Sequence, residues 1–461
     1  MIPMSLGAVA AAVRGQLTAS ADGDARVSDI AIDSRQATRG ALFAALRGEH
    51  ADGHDFVADA ITRGAAAALT SRPTDAAAIV VDDVVGALGS LASHVRRLLS
   101  ATVIGVTGSS GKTSTKDLLA QVLQRWGDTV APVASYNNEI GVPLTLLRAT
   151  EATRFLVLEM SARGSGHIRA LCDIAPLHIG LVLNVGTAHL GEFGSVDAIA
   201  AAKAEIVDGI APGGDAVLNA DDPRVAAMAV RTRGRVVTFG RTPRADVRAV
   251  DIRLDAAGRP AFTLVTRDGS ADVRLHLVGV HHVSNALAVA AVSRIIGMPL
   301  RDVAQALEDA RAVSRWRMEV HELPDGVTVV NDAYNANPDS TSAALRALVA
   351  ITASHRRWAV LGEMAELGAA ATVEHARIGR LVVALGIDRL VTVGDGARPI
   401  YSAAVDAGMA TTDVTHVHDA PSAVASLREG LERGDVVLVK GSRVAGLERV
   451  ALALTGERVP A

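Results

Sequence analysis

Short apolar runs alternate with amphipathic segments along most of the chain, a pattern typical of α/β proteins. Within the first hundred residues, β-like runs at 27–32, 41–45 and 79–81 are followed by a helical stretch at 87–99. Ser5 precedes the first amphipathic segment as its candidate N-cap. We therefore predict a small α/β domain over residues 1–100.

The alternation continues after residue 100 and predicts a second domain with a mostly parallel sheet over residues 101–313. Residues 244–278 differ, because alternating segments separated by Gly- and Pro-containing turns predict an antiparallel insertion. The predicted strands are 103–106, 155–159, 178–185, 216–218, 236–239, 247–254, 261–266 and 273–277, and the predicted closing helices are 284–296 and 300–310.

The α/β pattern restarts after residue 313 and predicts a third domain over residues 314–461. A chain of 461 residues exceeds what one hydrophobic core usually organises, which agrees with a division into three domains. The strands of the third domain are predicted at 328–331, 357–361, 389–393 and 436–440, with a helix at 340–350.

Charge and composition exclude several classes of protein. The formal net charge is −4 and no basic stripe is present, so a nucleic acid is not an expected partner. No run of about 18 apolar residues occurs, so no membrane span is predicted. The single cysteine, Cys172, excludes an intramolecular disulfide and, with no export signal visible, favours a cytoplasmic location.

Candidate chemistry is clearest at residues 103–115, where an apolar strand runs into a small-residue loop and then into a helix. The glycines let backbone N–H groups surround phosphate oxygens, and the helix directs the positive end of its dipole at them. Lys112 and Thr113 can then contact phosphate and Mg²⁺. The loop and first helical turn are Gly108-Ser109-Ser110-Gly111-Lys112-Thr113-Ser114.

The common eight-residue phosphate-loop pattern would place a further glycine at position 106, where this chain has Val106. A Gly-rich turn that binds nothing is the alternative interpretation. The preceding strand, the lysine, and the apolar positions Leu118, Leu119, Val122 and Leu123 of the following helix favour phosphate binding.

Three residues outside the loop could complete a nucleotide site. Glu159 ends an apolar strand at the carboxyl edge of the sheet, where it can bind Mg²⁺ or simply cap a helix. His189 follows another apolar strand, where a structural role is the more common one because Mg²⁺ prefers oxygen. Lys203 lies in a helical stretch, where lysines usually reach solvent; carbamylation by CO₂ would instead make it an oxygen ligand for a second metal ion.

Two further positions have an ordinary and a catalytic interpretation. Asn285, with Ser284, can cap the helix it opens or can face the nucleotide. Arg317 can be a solvated arginine or can neutralise charge on a transferred phosphoryl group. Polar residues also cluster after strands of the third domain, where an Asx-rich turn would look similar; they lie at 331–339, 361–368, 375 and 439–443.

In this order, the motifs resemble the Mur ligase family, the ATP-dependent amide-forming enzymes of bacterial cell-wall precursor synthesis, over essentially the full chain. The loop has the family's Gly-x-x-Gly-Lys-Thr form. The segments that follow in family order are Asn137-Asn138-Glu139-x-Gly141-x-Pro143, the Glu159 segment, the His189 segment, Lys203 and Gly279-x-His281-x-x-x-Asn285. The family implies a small α/β domain for the uridine-diphosphate end of the substrate, a central phosphate-loop ATPase domain and a carboxyl-terminal Rossmann-like domain.

Within the family, one turn looks like the branch that adds D-alanyl-D-alanine. This turn is Asp332-Ala333-Tyr334-Asn335-Ala336-Asn337-Pro338, and Leu361-Gly362-Glu363-Met364 and Lys440-Gly441-Ser442-Arg443 agree with it. The uridine-diphosphate domain is indicated by Asp33-Ser34-Arg35, Leu42-Phe43, Gly48 and Asp52-Gly53-His54-Asp55-Phe56. One departure is Trp316, where the family commonly has glycine. An indole cannot occupy backbone space made for glycine, so this departure bears on the role of Arg317.

The resemblance implies that the terminal carboxylate of UDP-N-acetylmuramoyl-tripeptide attacks the γ-phosphate of ATP, and that the amine of D-alanyl-D-alanine attacks the resulting acyl phosphate. The implied catalytic residues are Lys112, Lys203, His189 and Arg317, and the implied metal ligands are Thr113, Glu159, His189 and Lys203. The nucleotide is assigned to residues 108–114, Asn285, Arg317 and Asp332, with Asp332 toward the ribose. The implied substrate-binding residues are Ser34, Arg35, Asn137, Asn138, Tyr334, Asn335, Asn337, Lys440 and Ser442.

The resemblance also implies that the domains close on the substrates, and a monomer is expected. Several alternatives remain open: a ligase of the same architecture that adds the third peptide residue, a folate-polyglutamating enzyme, a nucleotide-gated binding module that does not ligate, and a simple phosphate-loop kinase. The turn at residues 332–338 disfavours the first two alternatives. The missing glycine at position 106 disfavours the last.

Overall fold

Besides a two-stranded sheet near the amino terminus, three β-sheets of five, nine and six strands follow one another along the chain. The computed structural model describes residues 1–48, 51–351 and 356–457. We call the segments built on these sheets the first, central and third units. Helices pack on all three sheets, so the α/β class with three sheet-based parts is confirmed. Among the described residues, no helix combines the length and the apolar character needed to cross a membrane.

The first unit is built largely from small apolar residues. Its elements are β1 (Met4–Ser5), α1 (Leu6–Val13), β2 (Gln16–Leu17), β3 (Arg26–Val27), β4 (Asp29–Ala31), β5 (Ala41–Ala44), α2 (Val57–Thr62), β6 (Ala67–Thr70), β7 (Ala78–Val80) and α3 (Val84–Leu98). The sheet order is β2-β7-β6-β5-β4, parallel except for β2 with β7. Ser5 caps α1 as predicted, because its hydroxyl oxygen accepts the N–H of Ala8 at 3.2 Å. Strand β6 was missed because its alanine-rich sequence resembles a helix.

The central unit contains the nine-stranded sheet. Its elements are β8 (Thr102–Thr107), α4 (Lys112–Gln124), β9 (Thr129–Val130), α5 (Gly141–Leu147), β10 (Phe155–Glu159), α6 (His167–Ile174), β11 (Leu177–Val182), α7 (Leu190–Phe193), α8 (Val196–Asp208), β12 (Ile210–Asn219), α9 (Pro223–Ala226), β13 (Arg235–Gly240), β14 (Val247–Leu254), β15 (Pro260–Thr266), β16 (Gly269–Arg274), α10 (His281–Ile295) and α11 (Leu300–Asp309). The sheet order is β16-β15-β14-β13-β12-β11-β8-β10-β9.

Two predictions for this sheet need correction. The segment predicted as an antiparallel insertion extends the main sheet, because β14 pairs in parallel with β13 and only β14, β15 and β16 pair antiparallel with one another. The last of these strands is Gly269–Arg274 rather than residues 273–277. The tight turn at Arg267 and Asp268 brings Gly269 directly opposite Thr266, so the strand begins at once.

The third unit has a six-stranded sheet of order β17-β18-β22-β19-β20-β21, parallel except for β17 with β18. Its elements are β17 (Glu319–Glu322), β18 (Thr328–Asn331), α12 (Pro338–Ala350), β19 (Arg357–Gly362), α13 (Ala371–Ala384), β20 (Arg389–Val393), α14 (Arg398–Asp406), β21 (Val414–Val417), α15 (Ala420–Gly430), β22 (Val436–Lys440) and α16 (Glu448–Thr455). The two edge strands, β17 and β21, were not predicted, because edge strands are short and partly exposed.

The hydrophobic cores do not follow the division into units. One cluster joins buried residues of α1 and α3 in the first unit to residues of α5, β10 and α6 in the central unit. A second cluster covers the opposite face of the central sheet. Two more clusters cover the two faces of the third sheet. The first and central units therefore share one continuous apolar core.

Candidate active site

The phosphate loop connects the central strand β8 to helix α4. Because β8 lies between β10 and β11, the segments after these three strands meet at the carboxyl edge of the sheet. Gly111 adopts the left-handed conformation, with φ of +80°, directly before α4. A Cβ at this position would lie 2.8 Å from Oδ1 of Asn285. The loop therefore requires glycine at position 111, and Asn285 lies against the loop as one of its predicted roles demands.

Asn184, which follows β11, holds the loop in shape. Its Oδ1 accepts the N–H of Ser110 at 2.9 Å, and its Nδ2 donates to the Ser110 carbonyl at 3.1 Å. Its own carbonyl accepts the N–H of Ser109 at 3.1 Å. The Ser109 hydroxyl oxygen accepts the N–H of Gly186 at 2.8 Å. Sequence analysis gave Asn184 no role, although a polar residue near the end of an apolar run was an available signal.

Two lysines lie close together at this loop: Lys112 is partly buried and Lys203 is buried. Nζ of Lys112 donates to the Gly108 carbonyl at 2.8 Å. Burial lowers the pKa of Lys112, an effect opposed by Glu159 and reinforced by Arg317. Lys203, in α8, is buried rather than solvated, and burial followed by the charge of Lys112 holds its pKa well below the ordinary value. In the described parts of the chain, no carboxylate forms an ion pair with Lys203.

Glu159 ends β10 as predicted and is buried beside the loop. Its Oε1 accepts a hydrogen bond from Nδ2 of Asn137 at 2.8 Å and a longer one from the Thr113 hydroxyl at 3.4 Å. Its Oε2 is buried without a hydrogen-bond donor among the described residues. A buried carboxylate oxygen without a donor, beside a threonine hydroxyl, fits a divalent cation.

The third unit contributes two side chains to the loop. Nη2 of Arg317 donates to the Thr113 hydroxyl oxygen at 3.2 Å, and its guanidinium lies 4.2 Å from the centre of the Tyr334 ring. Nδ2 of Asn337 forms a long hydrogen bond of 3.5 Å to the Ser109 carbonyl. Arg317 and Asn337 thus reach the two ends of the phosphate loop, although each is more than 200 positions along the chain from the loop residue that it contacts.

Asp332 and Lys440 form a buried ion pair, with Nζ to Oδ2 at 2.6 Å. Nζ of Lys440 also donates to the Asn335 carbonyl at 2.9 Å, and Oδ1 of Asp332 accepts the N–H of Met318 at 3.1 Å. Burial lowers the pKa of Lys440, and the Asp332 carboxylate opposes that change. Sequence analysis assigned these residues to two different ligands and did not predict that they pair.

The loop that carries His189 contacts the third unit. Nδ1 of His189 lies 2.6 Å from Oε2 of Glu366 and 3.7 Å from Glu192. The hydrogen bond from His189 lowers the pKa of Glu366. Oδ2 of Asp339, in the first turn of α12, accepts the N–H of Thr187 at 3.0 Å. Sequence analysis assigned no role to Glu366 or Asp339, because neither lies in a motif that binds phosphate or metal.

Other predicted residues have local partners. Ser34 is buried, whereas Arg35 is exposed and paired with Asp33 at 2.8 Å. Among the described residues, no hydrogen bond joins Ser34 or Arg35 to the phosphate loop. Oδ1 of Asn138 accepts the N–H of Gly141 at 3.0 Å at the start of α5. Ser114 is partly buried in the first turn of α4.

The remaining residues sit at helix starts and strand ends. Helix α10 begins at His281, so the prediction that Ser284 or Asn285 caps it is wrong. The N–H of Ser442 donates to the Glu363 carbonyl at 2.9 Å, and its hydroxyl is buried. Nε2 of His375 accepts the N–H of Met364 at 2.9 Å, which gives this histidine a structural role.

The backbone at Trp316 has φ of +59°, in the left-handed region that glycine favours. The expectation that an indole cannot occupy this position is wrong, because the ring lies outward under the Arg443 guanidinium at 4.8 Å. Arg317 reaches Thr113 despite the departure at position 316.

Comparisons with known proteins agree with this arrangement along the whole chain. Three family models match: Mur ligase family, catalytic domain, at residues 26–98; Mur ligase middle domain at 106–293; and Mur ligase, glutamate ligase domain, at 316–443. A UDP-N-acetylmuramoyl-tripeptide--D-alanyl-D-alanine ligase of Mycobacterium tuberculosis is 48% identical, covering 99% of this chain and 98% of that protein.

Solved structures give the same result. MurF from Acinetobacter baumannii is 33% identical with a TM-score of 0.88 and covers 99% of each chain. MurF ligase from Thermotoga maritima, solved in complex with ADP, is 30% identical with a TM-score of 0.80 and covers 94% of this chain and 98% of that chain. With a phosphate loop, a buried carboxylate and a third-unit arginine at one sheet edge, and with relatives along its full length, the chain belongs to the Mur ligase family.

Proposed function

We propose that this chain joins D-alanyl-D-alanine to UDP-N-acetylmuramoyl-tripeptide at the expense of ATP. The terminal carboxylate of the tripeptide attacks the γ-phosphorus of ATP, ADP leaves, and an acyl phosphate forms. The dipeptide amine then attacks the acyl carbon, loses a proton and expels phosphate, which gives the pentapeptide product. A carboxylate is a poor electrophile, so the phosphoryl group supplies the leaving group.

The observation that carries the proposal is the meeting of Arg317 with Thr113 at the end of the phosphate loop. In a chain 48% identical to a ligase named for this dipeptide, that contact would put a cation of the third unit beside the phosphates of bound ATP. Lys112 and the N–H groups of the loop supply further positive charge. The protein's task is therefore to position the two substrates and to neutralise charge as the phosphoryl group moves.

Mg²⁺ fits the donor set of Thr113 and Glu159, because one buried oxygen of Glu159 lacks a hydrogen-bond donor. When bound there, Mg²⁺ would neutralise phosphate charge. Carbamylated Lys203 would supply an oxygen ligand for a second metal ion: its neutral amine nitrogen attacks CO₂ and releases a proton, leaving a carbamate anion. Burial and the charge of Lys112 lower the pKa of Lys203, which favours the neutral, nucleophilic form of the amine. His189 would complete the set of metal ligands.

The substrate assignments follow the same division of the chain. Domain limits of 1–100, 101–313 and 314–461 assign the uridine-diphosphate end to Ser34 and Arg35, the nucleotide to the central domain with Asn285, and the dipeptide side to the third domain. The remaining assignments are Asn137, Asn138, Tyr334, Asn335, Asn337, Lys440 and Ser442 for substrate and Asp332 for the ribose. We propose that the protein acts as a monomer.

The test is phosphate release from ATP, Mg²⁺ and UDP-N-acetylmuramoyl-tripeptide, with and without D-alanyl-D-alanine, with products identified by mass spectrometry. Dipeptide-dependent release with pentapeptide formed is the expected result. Lys112→Ala should lower the rate by about 100-fold, because it removes a charge from the phosphate site. Arg125→Ala is the matched control, since Arg125 lies exposed at the far end of α4 and pairs with Asp309.

Phosphate release without the dipeptide, or no release at all, would contradict the proposal. Testing other amino acids and dipeptides as acceptors would then identify a different ligase of this family. Hydrolysis indifferent to every acceptor would indicate a nucleotide-gated module that does not ligate.

A further inference from the structure

Trp316 adopts a backbone conformation that is costly for its residue type. Its φ of +59° lies in the left-handed region, where a Cβ crowds the following carbonyl oxygen. Large residues occupy this region only when their surroundings hold them there. The residue immediately precedes Arg317, so the chain direction at position 316 determines where the guanidinium of Arg317 lies.

Several contacts hold Trp316 in this conformation. Its N–H donates to Oε2 of Glu319 at 3.1 Å, and its carbonyl accepts the N–H of Tyr334 at 3.2 Å. Its ring lies 4.8 Å from the guanidinium carbon of Arg443. Arg443 is itself fixed by an ion pair of 3.1 Å with the buried Glu448. The indole is therefore held by Arg443, more than 100 residues further along the chain, and Arg443 is held in turn by the first residue of α16.

The contact made by the next residue depends on this arrangement. Arg317 lies between the Tyr334 ring, at 4.2 Å, and the Thr113 hydroxyl, at 3.2 Å. Tyr334 thus contacts both Trp316 and Arg317. Its N–H donates to the carbonyl of Trp316, and its ring lies against the guanidinium of Arg317. A change of backbone direction at position 316 would move Arg317 away from Thr113.

We propose that Trp316 is a positioning residue, and that its stacking on Arg443 fixes the left-handed backbone that directs Arg317 to the end of the phosphate loop. Glycine would adopt the same backbone at little cost but without the stacked ring. Alanine would lose the ring and retain the steric penalty of a Cβ. The two substitutions therefore separate the backbone requirement from the stacking requirement.

The test measures nucleotide affinity by isothermal titration with Mg²⁺, using ADP and the ATP analogue with an imido bridge between the β- and γ-phosphorus atoms. Trp316→Ala should weaken binding of the analogue by about fivefold. Its affinity for ADP should stay unchanged, because Arg317 faces the end of the loop where the third phosphate lies. Trp316→Gly should weaken analogue binding less than Trp316→Ala does. A general loss of folding would weaken both nucleotides alike.

The stacking is tested with Arg443→Ala, which should match Trp316→Gly in its effect on analogue binding. The double variant Trp316→Gly, Arg443→Ala should bind no more weakly than either single variant, because both remove one interaction. Arg449→Ala is the matched control, since Arg449 is a nearby exposed arginine, in α16, that does not stack on Trp316. If Trp316→Ala does not fold, Trp316→Gly, Arg443→Ala and their double variant still test the stacking requirement.

Three results would overturn the inference: equal affinities for glycine and alanine variants, equal losses for ADP and the analogue, or additive effects of the two stacking partners. The inference rests on the proposed function in taking Arg317 to face the transferred phosphate. The test measures nucleotide binding. If the wild-type protein binds nucleotide but forms no pentapeptide, the proposed function is refuted, whereas the effect of Trp316 on nucleotide affinity can still be measured.

Discussion

The central unit makes two contacts of opposite character. With the first unit it shares a continuous apolar core, in which α3 packs closely on α6: a Cβ at Gly89 would lie 3.2 Å from Cδ1 of Ile174. With the third unit it meets through polar groups at Thr113, Ser109, Thr187 and His189 and, among the described residues, through a single buried apolar residue, Val278. Apolar packing of this kind is lost only when the fold is lost, whereas a few hydrogen bonds can be exchanged for water.

This difference indicates which part of the molecule moves. The phosphate loop belongs to the central unit, which shares its core with the first unit. Its partners Arg317 and Asn337 belong to the third unit. An enzyme that forms an acyl phosphate must admit two substrates and then exclude water. We predict that small-angle scattering will detect compaction when the imido ATP analogue and the UDP-tripeptide bind together, and unchanged scattering would contradict this.

The largest effect is expected in the apolar contact. Leu91→Ala in α3 should lower the free energy of unfolding by about 3 kcal/mol, because it leaves a cavity in the shared core. Since the core is continuous, denaturant should unfold the first and central units in one transition. Val230→Ala is the control, because Val230 is 90% exposed and its truncation should change little. Two separate transitions would show that the core is not shared.

A smaller effect is expected in the polar contact. Asp339→Ala removes the acceptor of the Thr187 N–H. It should destabilise the contact between the central and third units by about 1 kcal/mol. The rate of ligation should fall by about fivefold while the melting temperature stays nearly constant. Steady-state kinetics beside a thermal melt separate the two quantities. A large loss of stability would mean that this contact belongs to the folded core.

Acid should lower the stability of the fold through two histidines at the start of α10, His281 and His282. Burial lowers the pKa of His281 to about 4, while Asp332 opposes and Lys440 reinforces this change; burial also lowers the pKa of His282. In the unfolded chain the pKa of His281 is about 6.5, so the unfolded state binds a proton more readily than the folded state. The contribution of the neutral histidine to stability is therefore fully present above pH 6.5 and declines as the pH falls toward about 4. His281→Gln should reduce this slope in denaturant titrations across that range, and an unchanged slope would contradict the assignment.

The smallest effect is expected at a helix cap beside the loop. Ser340 and Asn337 form a capping box at the start of α12, with the Ser340 hydroxyl oxygen accepting the N–H of Asn337 at 3.1 Å. Ser340→Ala should cost about 0.5 kcal/mol of stability. The ligation rate should stay within about twofold, because Asn337 retains its bond to the N–H of Ser340. A larger kinetic loss would show that the cap also positions Asn337 at the loop.

The sequence predicted the elements that carry strong periodicity. The strands at 155–159 and 328–331 have the predicted bounds, because buried parallel strands appear in the sequence as continuous apolar runs. Strand β6 was missed because alanine has no strong preference for a strand, and the start of α10 was misplaced because no side chain caps it. The alternation of apolar and polar residues predicts that β14 is a strand. It does not predict that β14 pairs with β13, because that pairing depends on the tertiary fold.

For the site, the sequence identified groups with distinctive chemistry and missed the groups that support them. The loop at residues 108–114 and Glu159 were brought to one edge as the order of strands predicts. The supporting features depend on contacts between segments that are distant in sequence. They are the burial of Lys203, the pairing of Asp332 with Lys440, and the roles of Asn184 and Asp339. Metal and substrate assignments stay predictions until ligands are measured.

The shared core of the first and central units also constrains how the chain is made. Apolar residues of α1 and α3 leave the ribosome well before α5, β10 and α6, which cover them. Until about 75 further residues have been synthesised, the amino-terminal hundred residues hold an incomplete core and expose apolar surface, at elongation rates of about 5–20 residues per second. During those seconds the nascent chain is vulnerable to aggregation and is a natural client for chaperones.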